Sequence, residues 1–197
     1  LVTVHDYIND LKSKFTDTNG EVQEKLDGID KAVTKVNRLI DELLEFVCVP
    51  ESNPSQIDPV EIVKSAVSNI SIPENIGLFI PEKKECPILY GDREQIERIV
   101  KNLLINAIQS MPSGGELFVK TGNLGNRGYL EVTDTGMGIE MEEMEQIFEP
   151  LYSTKSGGIG LGLSICKRYA QINGGKIQAK SIPGKGATFR LFLPLFV

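Results

Sequence analysis

The sequence holds one histidine, His5, and no tryptophan, and its 21 basic residues are outnumbered by 27 acidic ones. A net charge of −6 excludes the broad basic surface by which nucleic-acid binders neutralise phosphates. The three cysteines, Cys48, Cys86 and Cys166, lie far apart without metal-ligand spacing, so reduced thiols in a cytoplasmic compartment are expected. No apolar run approaches the roughly 18 residues of a membrane span, and no signal peptide is visible. Internal repeats and low-complexity segments are absent. The chain opens on Leu1 rather than Met, so a fragment is expected, with a sensor or membrane region upstream left open. What is present is ordinary for a soluble globular protein: 41% hydrophobic and 24% charged residues over 197 positions, enough for one large or two small domains.

Two heptad seams come first. Leu1, Val4, Ile8, Leu11 and Phe15 are spaced by alternating threes and fours. After the turn residues Thr16–Gly20, a second seam runs through Val22, Leu26, Ile29, Val33, Val36, Ile40, Leu43 and Val47. The pattern predicts a helical hairpin over residues 1–49 that closes its core as a four-helix bundle in a homodimer, the regular heptad favouring this over packing of the hairpin on its own downstream domain. Residues 50–57, with Pro50 and Pro54, predict a linker. From Asp58 onward the order is helix, strands, helix, strands, helix, strands, which predicts an α+β sandwich with one mixed sheet and helices on one face. Asp58-Pro59 and Asp92 with Gln95 mark two helix starts. Short strands are expected at Ile76–Ile80 and Cys86–Tyr90, longer ones at Glu116–Thr121 and Tyr129–Thr133, and a final pair at Lys176–Ser181 and Ala187–Leu193.

The chemistry concentrates in Asp134–Leu163. Asp134-Thr-Gly136-Met-Gly138 stands at its front and Gly158-Ile-Gly160-Leu-Gly162 at its back, with a short acidic helix and a polar loop carrying Lys155 expected between. Glycines allow close backbone approach and aim N–H groups at phosphate. An aspartate at a strand end can accept from the amino group of a base. Asn102 and Asn106, one turn apart, share a helix face. Neutral amide oxygens can complete a magnesium shell beside phosphate and water.

Four blocks in this order resemble the catalytic domain of sensor histidine kinases, within the wider gyrase, Hsp90, histidine-kinase and MutL ATPase superfamily. They are Asn102-Leu-Leu-Ile-Asn106-Ala, Asp134-Thr-Gly136-Met-Gly138-Ile, Phe148-Glu-Pro150-Leu-Tyr152-Ser-Thr154-Lys155 and Gly158-Ile-Gly160-Leu-Gly162-Leu. Upstream, Arg38–Phe46 resembles the end of the second dimerisation helix. The lid and Gln109–Gly115 most resemble the nitrogen-regulation type. The resemblance implies a Bergerat-type ATP-binding domain over residues 58–197 that uses ATP and Mg²⁺. It implies that Asp134 binds the adenine amino group, that Gly136 and Gly138 line the base, and that Asn106 holds Mg²⁺ while Asn102 faces the phosphates. Ser153, Thr154 and Lys155 would reach the phosphates. Gly158, Gly160, Leu161 and Gly162 would offer N–H groups to them, and Thr188 would close the adenine pocket. Phe148 and Tyr152 would anchor the lid. Ile159 replaces the commoner threonine.

Where the superfamily's hydrolases resemble one another in a water-activating glutamate, this chain has Asn102, which cannot act as a base. That shifts the expected chemistry from hydrolysis to phosphoryl transfer. His5-Asp6-Tyr-Ile-Asn9-Asp-Leu11 resembles the family's phosphoacceptor box, implying His5 as nucleophile, Asp6 as proton acceptor and Asn9 as the residue that helps position water for dephosphorylating the partner. Asp10 stands where the box has proline and Ile8 where it has a basic residue. The His5–Arg38 interval is short by about one helical turn. The implied activity is autophosphorylation of His5 and transfer to an aspartate of a response regulator. Two alternatives stay open: an ATP-binding interaction module without kinase activity, and a related kinase acting on a separate protein.

Overall fold

The computed structural model of the chain describes residues 2–14, 20–48, 51–82, 86–155 and 158–196, without the side chains of residues 2–5, 8, 21 and 38. Two compact units divide the chain, Leu1–Val49 and Pro50–Val197.

The first unit is a pair of helices, α1 (Val2–Lys14) and α2 (Gly20–Val47). Lys12 ties them by reaching Asp27 at 2.9 Å and Asp30 at 3.0 Å. Hydrogen bonds to those carboxylates raise its pKa above the ordinary 10.5. The α2 seam buries Leu26, but Val22, Ile29, Val36, Ile40, Leu43 and Val47 remain exposed. Two helices cannot enclose a continuous stripe on one of them. Of the expected turn at Thr16–Gly20, Gly20 already belongs to α2, while residues 15–19 lie outside the described ones.

The second unit runs β1 (Ser55–Ile57), α3 (Pro59–Ser68), β2 (Ile76–Phe79), β3 (Leu89–Gly91), α4 (Arg93–Ser110), β4 (Gly115–Leu124), β5 (Arg127–Asp134), α5 (Gly162–Ile172), β6 (Lys176–Ser181) and β7 (Ala187–Pro194). Its main sheet has the order β2-β4-β5-β7-β6, with only β2–β4 parallel. Alternation along the strands sorts residues by face. Leu117, Val119, Leu130, Val132, Phe189 and Leu191 are buried on the face against which α3, α4 and α5 pack. On the other face Arg190 pairs with Glu131 and lies over the rings of Tyr129 and Phe192. Helix α4 contributes Ile96, Ile99, Val100, Leu103, Leu104 and Ala107 to the core, each large aliphatic among them worth about 1.5–3 kcal/mol when fully buried.

Three expectations are corrected. The strands form two sheets, because β1 and β3 pair separately as a two-stranded antiparallel ribbon. The linker therefore ends early: Ser55–Ile57 is already strand, fixed by the burial of Ile57. The acidic stretch after Ile139 is a series of turns rather than a helix. Its bonds are mostly of the three-residue kind, such as Glu143 N to Glu140 O at 3.1 Å and Gln146 N to Glu143 O at 2.8 Å. Glu142 and Glu145 stand three apart, where like charges oppose a helix.

Both expected N-caps are present. Asp58 accepts from Val60 N at 2.9 Å ahead of Pro59, and Asp92 accepts from Gln95 N at 3.0 Å. The Gln95 side chain does not complete a capping box. Asn173, at the end of α5, takes its place: Oδ1 accepts from Asp92 N at 2.6 Å, and Nδ2 donates to Gln95 Oε1 at 2.9 Å and Tyr169 O at 2.8 Å. The second Asp92 oxygen accepts from Asn53 N at 2.7 Å. This buried clasp locks the start of α4 to the end of α5, so the opposite ends of those helices are held in fixed relation.

Candidate functional site

Strand β5 delivers Asp134 to the helix-covered face, where the residue is only 4% exposed. Its Oδ1 accepts from Gly136 N at 2.9 Å and from the hydroxyl of Ser110, the last residue of α4, at 2.8 Å. The loop that follows is braced from two sides. Met137 N donates to Ser110 O at 3.1 Å, and Gly184 N, in the β6–β7 turn, donates to Met137 O at 2.7 Å. Gly138 has φ +72°, and a Cβ there would strike the Ile182 carbonyl; at Gly136 a Cβ would strike Ser110. Both glycines are thus required by protein packing.

Asn102 and Asn106 lie half-buried one turn apart on α4. Asn102 Nδ2 donates to Gly162 O at 3.4 Å, which joins α4 to the first residue of α5. Leu161 precedes that helix, 1% exposed and without a side-chain cap bond. A Cβ on Gly162 would meet nothing within 4 Å. The N-terminus of α5 therefore begins without a side-chain cap, carrying the positive end of the helix dipole beside open space.

The intervening lid is tied at its base, where Leu151 N donates to Gly160 O at 3.0 Å. Ile147 is its buried anchor, while Phe148 and Tyr152 are half-buried. Partial desolvation, helped by Glu143, raises the Tyr152 phenol pKa. Ser153 and Thr154 are exposed, and the Ser153 hydroxyl accepts from Lys155 N at 3.2 Å. Gly158 N donates to Lys155 O at 3.2 Å. Lys155 itself turns back onto α4: Nζ donates to Asn106 O at 3.1 Å and to Gln109 Oε1 at 3.2 Å. Burial lowers its pKa, against the charge of Asp134, which raises it.

Asp134, Lys155, Asn102, Asn106 and the Gly160–Gly162 turn are thus linked through α4. Thr188 is not brought to them. Its hydroxyl meets that of Thr133 at 3.0 Å, and Thr133 and Asp134, adjacent in a strand, point to opposite faces. Its neighbour Ala187, buried, is on the Asp134 side. His5 lies in α1 with its side chain outside the described ones, and Asp6 and Asn9 are exposed on the same helix. Among the described residues, no group of three or more His, Cys, Asp or Glu side chains could hold a metal. A magnesium ion held by one amide, water and phosphate does not need such a group. Sequence reasoning missed Ser110, since a serine at a helix end carries no signal of its own. A groove of about 320 Å³ near Phe79, Phe118, Lys120 and Tyr129 opens by the outer sheet face and brings together none of these groups.

Residues 91–196 match the family model of histidine kinase-, DNA gyrase B- and HSP90-like ATPases. The chain belongs to this family. Among curated relatives of this ATPase family member, the signal transduction histidine-protein kinase AtoS of Escherichia coli (strain K12) is 29% identical over 99% of the chain. The chain spans only 32% of AtoS. Two solved structures share the fold. Full-length ShkA in complex with AMPPNP has a TM-score of 0.79 at 20% identity, covering 98% of this chain and 45% of that one. The histidine kinase ThkA in complex with the response regulator TrrA has a TM-score of 0.73 at 20% identity, covering 96% and 57%. No helix among the described residues is long and apolar enough to cross a membrane.

Proposed function

We propose that the chain is the cytoplasmic kinase core of a sensor histidine kinase, with residues 1–49 as dimerisation and phosphoacceptor hairpin and 58–197 as catalytic domain. It binds Mg-ATP, phosphorylates His5, and passes the phosphoryl group to an aspartate of a response regulator. The observation that carries this reading is the convergence on α4 of a buried carboxylate, a pair of amides and an uncapped helix N-terminus, within a domain of this ATPase family. These groups fit a nucleotide: an acceptor for the base, N–H donors for phosphate and an amide oxygen for magnesium.

Asp134 accepts from the adenine amino group. The α5 N-terminus and Lys155 neutralise phosphate charge. Asn106 would hold magnesium, which would supply charge stabilisation to the phosphates. Asn102 orients without acting as a base, so attack by water is not promoted. An imidazole nitrogen of His5 forms a bond to the γ-phosphorus as the bond to the β,γ-bridging oxygen breaks. ADP departs, and Asp6 takes the proton from the other ring nitrogen. Catalysis is positioning plus electrostatics. The regulator partner is supported by the ThkA–TrrA complex, and the homodimer by the exposed α2 stripe.

Incubating the chain and its His5→Ala variant with γ-labelled ATP and Mg²⁺ tests this reading. Acid-labile, alkali-stable label on the wild type alone is expected. ATP binding without label would favour a non-catalytic module, and acid-stable label on an added protein a kinase acting elsewhere.

A further inference from the structure

Ser110 touches the Asp134–Gly138 loop three times. Its hydroxyl lies 2.8 Å from Asp134 Oδ1, its carbonyl accepts from Met137 N at 3.1 Å, and Gly136 passes so close that a side chain there would overlap it. The same hydroxyl lies 2.7 Å from Ala107 O. A serine hydroxyl has one proton to donate, so the two acceptors compete for it. An ionised carboxylate is the stronger acceptor, and the proton goes to Asp134. With Gly136 N at 2.9 Å, Oδ1 then has two donors of its own, whereas no hydrogen bond to Oδ2 is made among the described residues.

We infer that Ser110 is a positioning residue for base recognition: it orients the Asp134 carboxylate so that the site selects a purine with an exocyclic amino group at position 6. The inference rests on the nucleotide reading above, in which Asp134 meets the adenine amino group, and adds Ser110 to it. Ser110 ends the helix that carries Asn102 and Asn106. It therefore also sets the base contact at a fixed distance from the phosphate end of the site.

The test is calorimetric titration of the full chain with ATP and with purine riboside 5′-triphosphate, which lacks the amino group. The wild type is compared with Ser110→Ala and Ser110→Cys. Cysteine keeps the side chain's shape but is a weak donor. Wild type should prefer ATP. Both variants should lose ATP affinity by about threefold to tenfold, with the analogue changed by less than about twofold, so that selectivity collapses. Equal losses for both ligands would show a helix-end packing role and overturn the inference, as would unchanged ATP affinity. A wild type that binds both ligands equally overturns the assignment of Asp134 to the base, and the inference with it.

Discussion

The ammonium of Lys155 donates to the main-chain carbonyl of Asn106 at 3.1 Å. A lid cation thus sits on the residue proposed to hold magnesium, on a helix that also carries its second acceptor, Gln109. Burial disfavours the charged form and holds the Lys155 pKa below 10.5. With the folded pKa depressed, the cost of the buried ammonium is fully present below that pKa. It fades as pH rises toward 10.5, because the unfolded chain holds more protons across that window. Urea unfolding of wild type and Lys155→Met should therefore show wild type gaining stability relative to the variant above neutral pH. A constant difference up to pH 10.5 would exclude this account.

Replacing Asp134 with alanine should weaken ATP binding by about 10- to 100-fold, the cost of removing a buried acceptor from a ligand donor. Adenosine should lose affinity by a similar factor, while inorganic triphosphate should not. Titrations with the three ligands decide, and unchanged adenosine affinity would remove Asp134 from the base site.

Asn173→Ala removes the clasp between α4 and α5. It leaves Asp92 N and Gln95 Oε1 without their bonds to Asn173 in a buried setting. A loss of about 2–4 kcal/mol is expected, seen as a lower urea midpoint at unchanged m-value. A midpoint shift within error would mean that water replaces the amide.

Leu43 is 52% exposed and Ile40 40% exposed along the α2 stripe. If the stripe is a dimer seam, Leu43→Asp should convert a dimer to a monomer in sedimentation equilibrium with the second unit still folded. A wild type that is already monomeric would refute the bundle.

Several of these features were legible beforehand. Asp92 followed by an apolar stripe marked α4, and the glycine blocks marked the loop after β5 and the start of α5, because capping and glycine preferences are local physics. The misses share a different cause: they depend on partners distant in sequence. Ser55–Ile57 becomes strand only through Leu89–Gly91. Ser110 matters because Asp134 lies against it across 24 positions. The family resemblance implies Thr188 in the adenine pocket, but the two-residue period of a strand, with Thr188 paired to Thr133 in the β5–β7 register, turns it the other way. The acidic lid segment had helix-like composition, but with like charges along it and few buried contacts it stayed a run of turns.

The glycines of the Asp134–Gly138 loop bear on how mutational scans of such a domain should be read. At positions 136 and 138 a side chain would collide with Ser110 and Ile182, and at Gly186 with the Asp134 carbonyl. Intolerance at these sites would therefore appear even in a variant library selected for folding alone. Comparing a scan scored on abundance with one scored on phosphorylation should leave Asp134, Asn106 and Lys155 as activity-specific positions, while the glycines drop out.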